Sequence, residues 1–98
     1  MDIKEIKEFE TTISEIVRNV LNMYQLILGA NNITVTEKVN TGDSDYLCDY
    51  SSELEIVFYK NTEFDDIIEF FIFRNGQKSV TEKEVEEYLK TELDKKLL

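Results

Sequence analysis

The 98-residue sequence contains no histidine and no proline, and it has only one cysteine and three glycines. Without histidine, the commonest general base and the commonest nitrogen ligand for metals are missing. The isolated glycines Gly29, Gly42 and Gly76 exclude a glycine-rich phosphate-binding loop. The absence of proline favours long helices and strands that are not interrupted.

Metal sites and nucleophiles built on other residues are also disfavoured. Cys48 has no second cysteine for a disulfide or a zinc site, and its position on the apolar side of an alternating segment predicts a buried structural thiol. Asp43, Asp45 and Asp49 resemble the start of a calcium loop, but Cys48 and Leu54 replace the glycine and the glutamate that such a loop requires. We therefore expect no catalytic residue, no metal ligand and no cofactor, and a protein that is not an enzyme.

Long apolar runs are also missing. None approaches the roughly 20 residues that a membrane-spanning helix needs, and residues 1–5 carry charges at helical spacing instead of the apolar core of a signal peptide. A hydrophobic fraction of 42% is enough for one core, and the length fits a single domain over residues 1–98. Frequent lysine, asparagine and isoleucine fit a bacterial or phage genome of low GC content. We expect a cytoplasmic protein of a bacterium or of a phage-infected host cell.

Two segments have helical periodicity. Apolar residues recur at three- and four-residue steps over residues 3–28, which predicts a long N-terminal helix that stops at Gly29. A similar stripe over residues 82–97 predicts a shorter C-terminal helix. Thr81 and Glu84 have the spacing of a capping box, which would start this second helix.

The middle of the sequence alternates with period two. Strands are predicted over residues 33–40 and 67–74, with a polar connection over 61–66. The alternation also runs through residues 43–60, as one long strand or as two strands broken near Ser51-Ser52. Short connections permit only antiparallel neighbours. We expect an α+β fold in the order α-β-β-β-α, a three-stranded antiparallel meander flanked by a long N-terminal and a shorter C-terminal helix.

One face of the predicted sheet is too apolar to remain in water. The long helix would cover the other face, whereas this one would carry Val57, Tyr59, Ile67, Phe71 and Phe73. An exposed apolar patch of this kind usually marks an interface. Three covers are open alternatives: the C-terminal helix, a second copy of the chain, or a partner protein.

The charge is strongly negative and unevenly distributed. The chain has 21 acidic and 11 basic residues, a formal net charge of −10. This balance argues against direct binding to nucleic acid or to an anionic membrane, and it favours a basic protein surface as partner. Most of the excess lies between residues 43 and 69, where Lys60 is the only base.

Most acids of this segment share one parity of the alternation. That predicts a row of carboxylates on one sheet face at intervals of about 6.5–7 Å, on the order of the phosphate spacing along a nucleic-acid strand. Repulsion within the row costs folding energy. The predicted partner-binding residues are these acids and two tyrosines: Asp43, Asp45, Asp49, Glu53, Glu55, Glu63, Asp65, Asp66, Glu69, Tyr46 and Tyr59.

The function expected from these features is that of a non-catalytic acidic binding protein. Its most concrete form is an inhibitor that occupies the basic groove of a nuclease or another nucleic-acid-binding enzyme by nucleic-acid mimicry, in the manner of phage anti-defence proteins such as anti-CRISPR inhibitors. An alternative is a homodimeric assembly or chaperone-like protein that pairs through Val57, Tyr59, Phe71 and Phe73. A third possibility is that the acids only solvate the sheet and pair with lysines of the same chain.

Overall fold

The computed structural model describes residues 2–42 and 47–98. The order of elements confirms the predicted α+β fold and adds a very short fourth strand. Within the described residues, no helix has the length and apolar character needed to cross a membrane. The elements are α1 (Ile3–Met23), α2 (Gln25–Ala30), β1 (Ile33–Thr41), a 3-10 turn (Leu47–Asp49), β2 (Ser52–Lys60), β3 (Glu63–Arg74), β4 (Gln77–Lys78) and α3 (Glu82–Leu97).

The strands form one antiparallel sheet in the order β1-β2-β3-β4, which is the predicted meander. Asn61 (φ 51°) and Thr62 (φ 70°) make a two-residue turn between β2 and β3, and such turns require positive φ at both positions. Because the turn is so short, β3 begins at Glu63 and the polar connection expected over 61–66 is wrong. A similar turn at Asn75 and Gly76, predicted to end β3, leads into β4.

Both long helices pack on one face of the sheet, here called the inner face. Leu54, Ile56 and Phe58 of β2 are at most 1% exposed on this face. They belong to a single apolar cluster with the buried stripes of α1 and α3, including Ile13 and Leu89. The inner face therefore holds the core of the molecule.

Helix α3 begins at the predicted capping box and lies against the inner face. The Thr81 hydroxyl accepts from the Glu84 N–H at 3.2 Å, and the Glu84 carboxylate accepts from the Thr81 N–H at 3.0 Å. The Tyr88 ring meets the inner-face Phe70 ring edge-on at 6.4 Å between centroids. The Lys96 ammonium lies 5.2 Å from the centroid of Phe58. Helix α3 is thus not the cover of the opposite face.

The first helix is shorter than residues 3–28. Helix α1 ends at Met23, and Tyr24 adopts φ −103° and ψ 4° before the chain resumes as α2. The Tyr24 hydroxyl donates to an Asp94 oxygen of α3 at 2.6 Å. The break lets Leu28 enter the core at 6% exposure. Asn32, at φ 58°, makes the turn into β1, so the expected stop at Gly29 is wrong.

Strict alternation places Phe73 on the apolar face of the sheet that lies away from the helices, and that prediction is wrong. A register shift between Ser52 and Glu53 pairs Glu53 with Phe71 but Ser52 with Phe73. The shift turns the Phe73 side chain into the core, where it is 0% exposed. Its ring packs edge-on against Phe9 at 5.5 Å and against Tyr50 at 6.1 Å. A bulge of this type re-aims one side chain by adding one residue.

Candidate functional site

The face opposite α1 and α3, here called the outer face, is not covered by any of the described helices. Three antiparallel strands supply four cross-strand rows of side chains to it. Ile67 and Phe71 are each 37% exposed there, and Phe64 is 65% exposed. By register, the face consists of Thr34, Thr36, Lys38, Asn40, Glu53, Glu55, Val57, Tyr59, Phe64, Ile67, Glu69 and Phe71.

Three carboxylates crowd together at one end of the outer face. Glu55 lies directly opposite Glu69, and Glu53 is the neighbour of Glu55 on the same face of β2. We call these three residues the acidic cluster. The Asn40 side-chain amide donates to the Glu55 carboxylate at 2.8 Å. Lys38 lies opposite Glu55, yet no ion pair among the described residues joins it to the cluster.

The crowding changes the titration of Glu53. A hydrogen bond with the Glu69 side chain raises the pKa of Glu53, partial desolvation raises it further, and the charges of Glu69 and Glu55 add to the shift. Each cause disfavours the ionised form of Glu53. The like charges of the cluster thus repel one another, and within residues 2–42 and 47–98 no ion pair joins a lysine or arginine to Glu53, Glu55 or Glu69.

Replacing Glu53 with glutamine should stabilise the protein. We expect the free energy of unfolding to rise by about 0.2–1 kcal/mol at neutral pH, because one of three crowded like charges is removed. Since the folded state raises the Glu53 pKa, it binds the proton more tightly than the unfolded state, and the gain should shrink as pH falls through that raised pKa. Urea unfolding at neutral pH and at about pH 4 measures both effects.

The matched control is Glu15→Gln, at an exposed position on α1. We expect it to change the free energy of unfolding by less than about 0.5 kcal/mol at either pH. A destabilised Glu53→Gln protein at neutral pH, or a gain that does not depend on pH, would contradict the proposed crowding.

Apolar side chains occupy the other end of the outer face. Val57 lies opposite Ile67, and Tyr59 lies opposite Phe64. We call these four residues the apolar strip. At the acidic end, Phe71 lies opposite Glu53, and the Arg74 guanidinium carbon is 5.1 Å from the centroid of the Phe71 ring. The outer face therefore combines negative charge with exposed apolar area.

Asp65, predicted as part of the same carboxylate row, and Asp66, predicted as a further partner-binding residue, do not join the acidic cluster. A register shift between Phe58 and Tyr59 interrupts the alternation at this point in β3. Lys96 of α3, on the inner side of the sheet, forms ion pairs with both aspartates. The single row predicted from parity is therefore not formed.

The other predicted residues lie elsewhere. Glu63 is paired with Lys60 in the register beside the β2–β3 turn. Asp49 is exposed in the 3-10 turn, so residues 47–49 are not the strand that alternation predicts. Asp43, Asp45 and Tyr46 lie outside the described residues.

Cys48 is exposed, not buried as predicted, because the 3-10 turn removes it from the alternating pattern. Within residues 2–42 and 47–98, no group of three or more acidic or cysteine side chains has the arrangement needed to hold a metal ion.

Sequence reasoning missed one buried polar contact. Glu10 and Tyr50 are each 6% exposed, and the Tyr50 hydroxyl donates to a Glu10 oxygen at 2.6 Å. Burial raises the pKa of Tyr50 to about 12, with a further contribution from the Glu10 hydrogen bond. The sequence does contain a sign that Glu10 is buried, because Glu10 lies four residues after Ile6 and three before Ile13, on the apolar stripe of α1.

Comparison with protein-family models, with curated proteins and with solved structures finds no match to this chain.

Proposed function

We propose that this chain is a non-catalytic binding protein that presents the outer face of its sheet to a basic protein. The observation that carries the proposal is the acidic cluster, three carboxylates held side by side on a face that no described element covers. Keeping these charges close costs stability. A basic partner would offset that cost, because its lysine or arginine side chains would neutralise carboxylates that form no ion pair with the part of the chain that the structure describes.

The two ends of the outer face would make different contributions to binding. The acidic cluster and the net charge of −10 accelerate encounter with a positively charged surface over a distance limited by salt screening. The apolar strip would supply contact area from which water is excluded, and aromatic residues such as Tyr59 and Phe64 are well suited to this. Affinity should therefore fall with salt without disappearing.

The most concrete form of the proposal is inhibition of a nuclease or another enzyme that binds nucleic acid. Glu53 and Glu55 point to the same face two residues apart, a separation of about 6.5–7 Å, which is comparable with that of neighbouring phosphates. A partner groove built from lysine and arginine for nucleic acid would accept such carboxylates. The setting we propose is the bacterial cytoplasm, where a phage-encoded inhibitor would block a defence enzyme.

A capture experiment with three baits tests the proposal. The baits are the wild-type chain, a variant with Glu53, Glu55 and Glu69 all changed to glutamine, and a control with Glu5, Glu8 and Glu15 changed to glutamine. Both variants lose the same charge, but the control residues are exposed on α1. We expect the wild type and the control to capture the same basic protein from a bacterial lysate, and the outer-face variant to lose most of it.

Two further readouts make the capture specific. Added duplex DNA or RNA should release the partner from the wild-type bait, because nucleic acid and the acidic cluster would occupy the same groove. Raising the salt concentration should weaken capture steeply. Equal losses of captured partner with both variants would show that the net charge of the chain alone causes the binding. Equal capture by all three baits would show that the acidic cluster does not contribute to binding.

A homodimer or chaperone-like assembly through the outer face is the second candidate. The observation that favours it is the apolar strip, and the pairing surface would consist of this strip together with Phe71, because Phe73 is buried. Light scattering distinguishes the two candidates, because a dimer has twice the chain mass of 11.5 kDa. If the dimer forms through the outer face, Ile67→Lys should convert it to a monomer.

A further inference from the structure

One edge of the sheet is open along most of β3. Strand β4 pairs only with Phe73 and Arg74, and next to it the Ser79 N–H donates to the Ile72 carbonyl at 2.8 Å. The rest of Glu63–Ile72 has no strand neighbour on that side among the described residues. An open edge presents backbone N–H and C=O groups that pair readily with another chain. Proteins often protect such edges with charged residues, proline or a bulge. The bulge and the aspartates paired with Lys96 protect the first part of this stretch, whereas Ile67–Phe71 contains no lysine, proline or bulge.

A groove of about 580 Å³ lies beside this edge, between β3 and α3. Its apolar part includes Phe70, Val80 and Tyr88, and Tyr88 is 45% exposed although its ring already contacts Phe70. Glu84, Glu87, Glu92 and Lys95 of α3 also line it. Glu87 and Glu92 pair with Lys83 and Lys95 at 3.9 and 3.5 Å, in largely exposed ion pairs that contribute little and that a lysine or arginine of a partner can replace. The groove therefore offers apolar contact area with a mainly acidic border.

We infer that the β3 edge and this groove bind an extended, basic segment of a partner polypeptide as an additional strand. Backbone hydrogen bonds to the edge would supply affinity that is independent of sequence. Apolar side chains of the segment would pack on Phe70 and Tyr88, while lysine or arginine side chains would reach Glu87 and Glu92. The inference concerns an edge and does not rest on the proposed function of the outer face.

The negative charge at the β3 edge favours a basic segment over a second copy of the chain as the added strand. Two β3 edges would bring Glu63 and Glu69 of each copy against the same acids of the other, and each copy carries −10. The groove beside the β1 edge is a weaker candidate, because it is lined by polar and basic groups such as Lys7, Thr11 and Arg18.

The probe is a short synthetic peptide that repeats Lys-Lys-Val-Val, so that each face of the extended strand carries both residue types. Fluorescence anisotropy of the labelled peptide measures affinity, and amide exchange by NMR locates the contact. We expect saturable binding and slower exchange of amides within Glu63–Ile72, with no change within β1. An N-methylated peptide, which keeps its side chains but lacks backbone donors, should not bind.

Two matched variants complete the test. Glu87→Lys should weaken binding about tenfold or more, because it places a positive charge at the groove. Glu15→Lys makes the same charge change on the exposed face of α1 and should have little effect. Circular dichroism confirms that both variants are folded.

The inference would be overturned by any of four results: equal binding of the N-methylated peptide, equal weakening by Glu15→Lys, protection of β1 amides in place of those in β3, or no binding of the peptide. Self-association of the free protein with slowed exchange at the β3 edge would also overturn it, by assigning the edge to a second copy.

Discussion

Truncation of Phe73 to alanine should lower the free energy of unfolding by about 3–5 kcal/mol. The side chain is 0% exposed and packs edge-on against both Phe9 and Tyr50. Its removal leaves a cavity between α1, β3 and the segment that carries Tyr50, and that cavity cannot collapse without moving the sheet. Urea or thermal unfolding of the variant measures the loss.

Phe71→Ala is the matched control, because Phe71 is two residues away in the same strand but on the outer face at 37% exposure. It should cost less than about 1 kcal/mol. Similar losses for the two variants would contradict the register shift that buries Phe73. The same argument predicts that Phe73→Glu unfolds the chain, so that variant cannot test a dimer interface.

Removing the Tyr50 hydroxyl should have the next largest effect. We expect Tyr50→Phe to lower the free energy of unfolding by about 1.5–3 kcal/mol, because the buried Glu10 carboxylate loses its hydrogen-bond donor at 2.6 Å. Tyr59→Phe is the control, because Tyr59 is half-buried on the outer face. It should change the free energy of unfolding by less than about 0.5 kcal/mol.

The contribution of Tyr50 also has a defined pH dependence. Burial and the Glu10 bond raise its folded pKa to about 12 from the ordinary value of 10.0. A raised folded pKa gives stability that is complete below the unfolded pKa and is lost as pH rises through the folded one. The difference between wild type and Tyr50→Phe should therefore shrink between pH 10 and 12. A constant difference over that range would contradict the assignment.

Much of the fold follows from local patterns in the sequence. The capping box of Thr81 and Glu84 fixes the start of α3, and alternation places β1 within one residue of its observed end. The Asn75-Gly76 turn forms as expected. Each of these features depends on residues close together in the chain, so periodicity and side-chain type are sufficient to predict them.

The errors arise where tertiary structure shifts the alternation by one residue. The bulge near Ser52 turns Phe73 inward, and the one near Phe58 removes Asp65 from the predicted carboxylate row. A period-two pattern contains no sign of such an extra residue, since every side chain beyond it changes face. The sequence likewise does not decide which face α3 covers, because both faces of the predicted sheet are apolar.

These shifts reduce the predicted carboxylate row to a compact group. Glu53, Glu55 and Glu69 remain together, whereas Asp65 and Asp66 are held by Lys96. The surviving cluster lies beside exposed apolar residues, which a row of acids alone would not provide. The surface is therefore better suited to a protein groove with both basic and apolar parts than to a purely electrostatic contact.

The most direct test of partner binding through the outer face is methyl NMR of isoleucine-labelled protein with the captured basic partner. Ile67 on the outer face and Ile27 on α2 are exposed to almost the same extent, 37% and 36%, so they are matched reporters. We expect the Ile67 methyl signal to shift or broaden on binding while the Ile27 signal is unchanged. A perturbed Ile27 with an unperturbed Ile67 would show that the partner binds elsewhere.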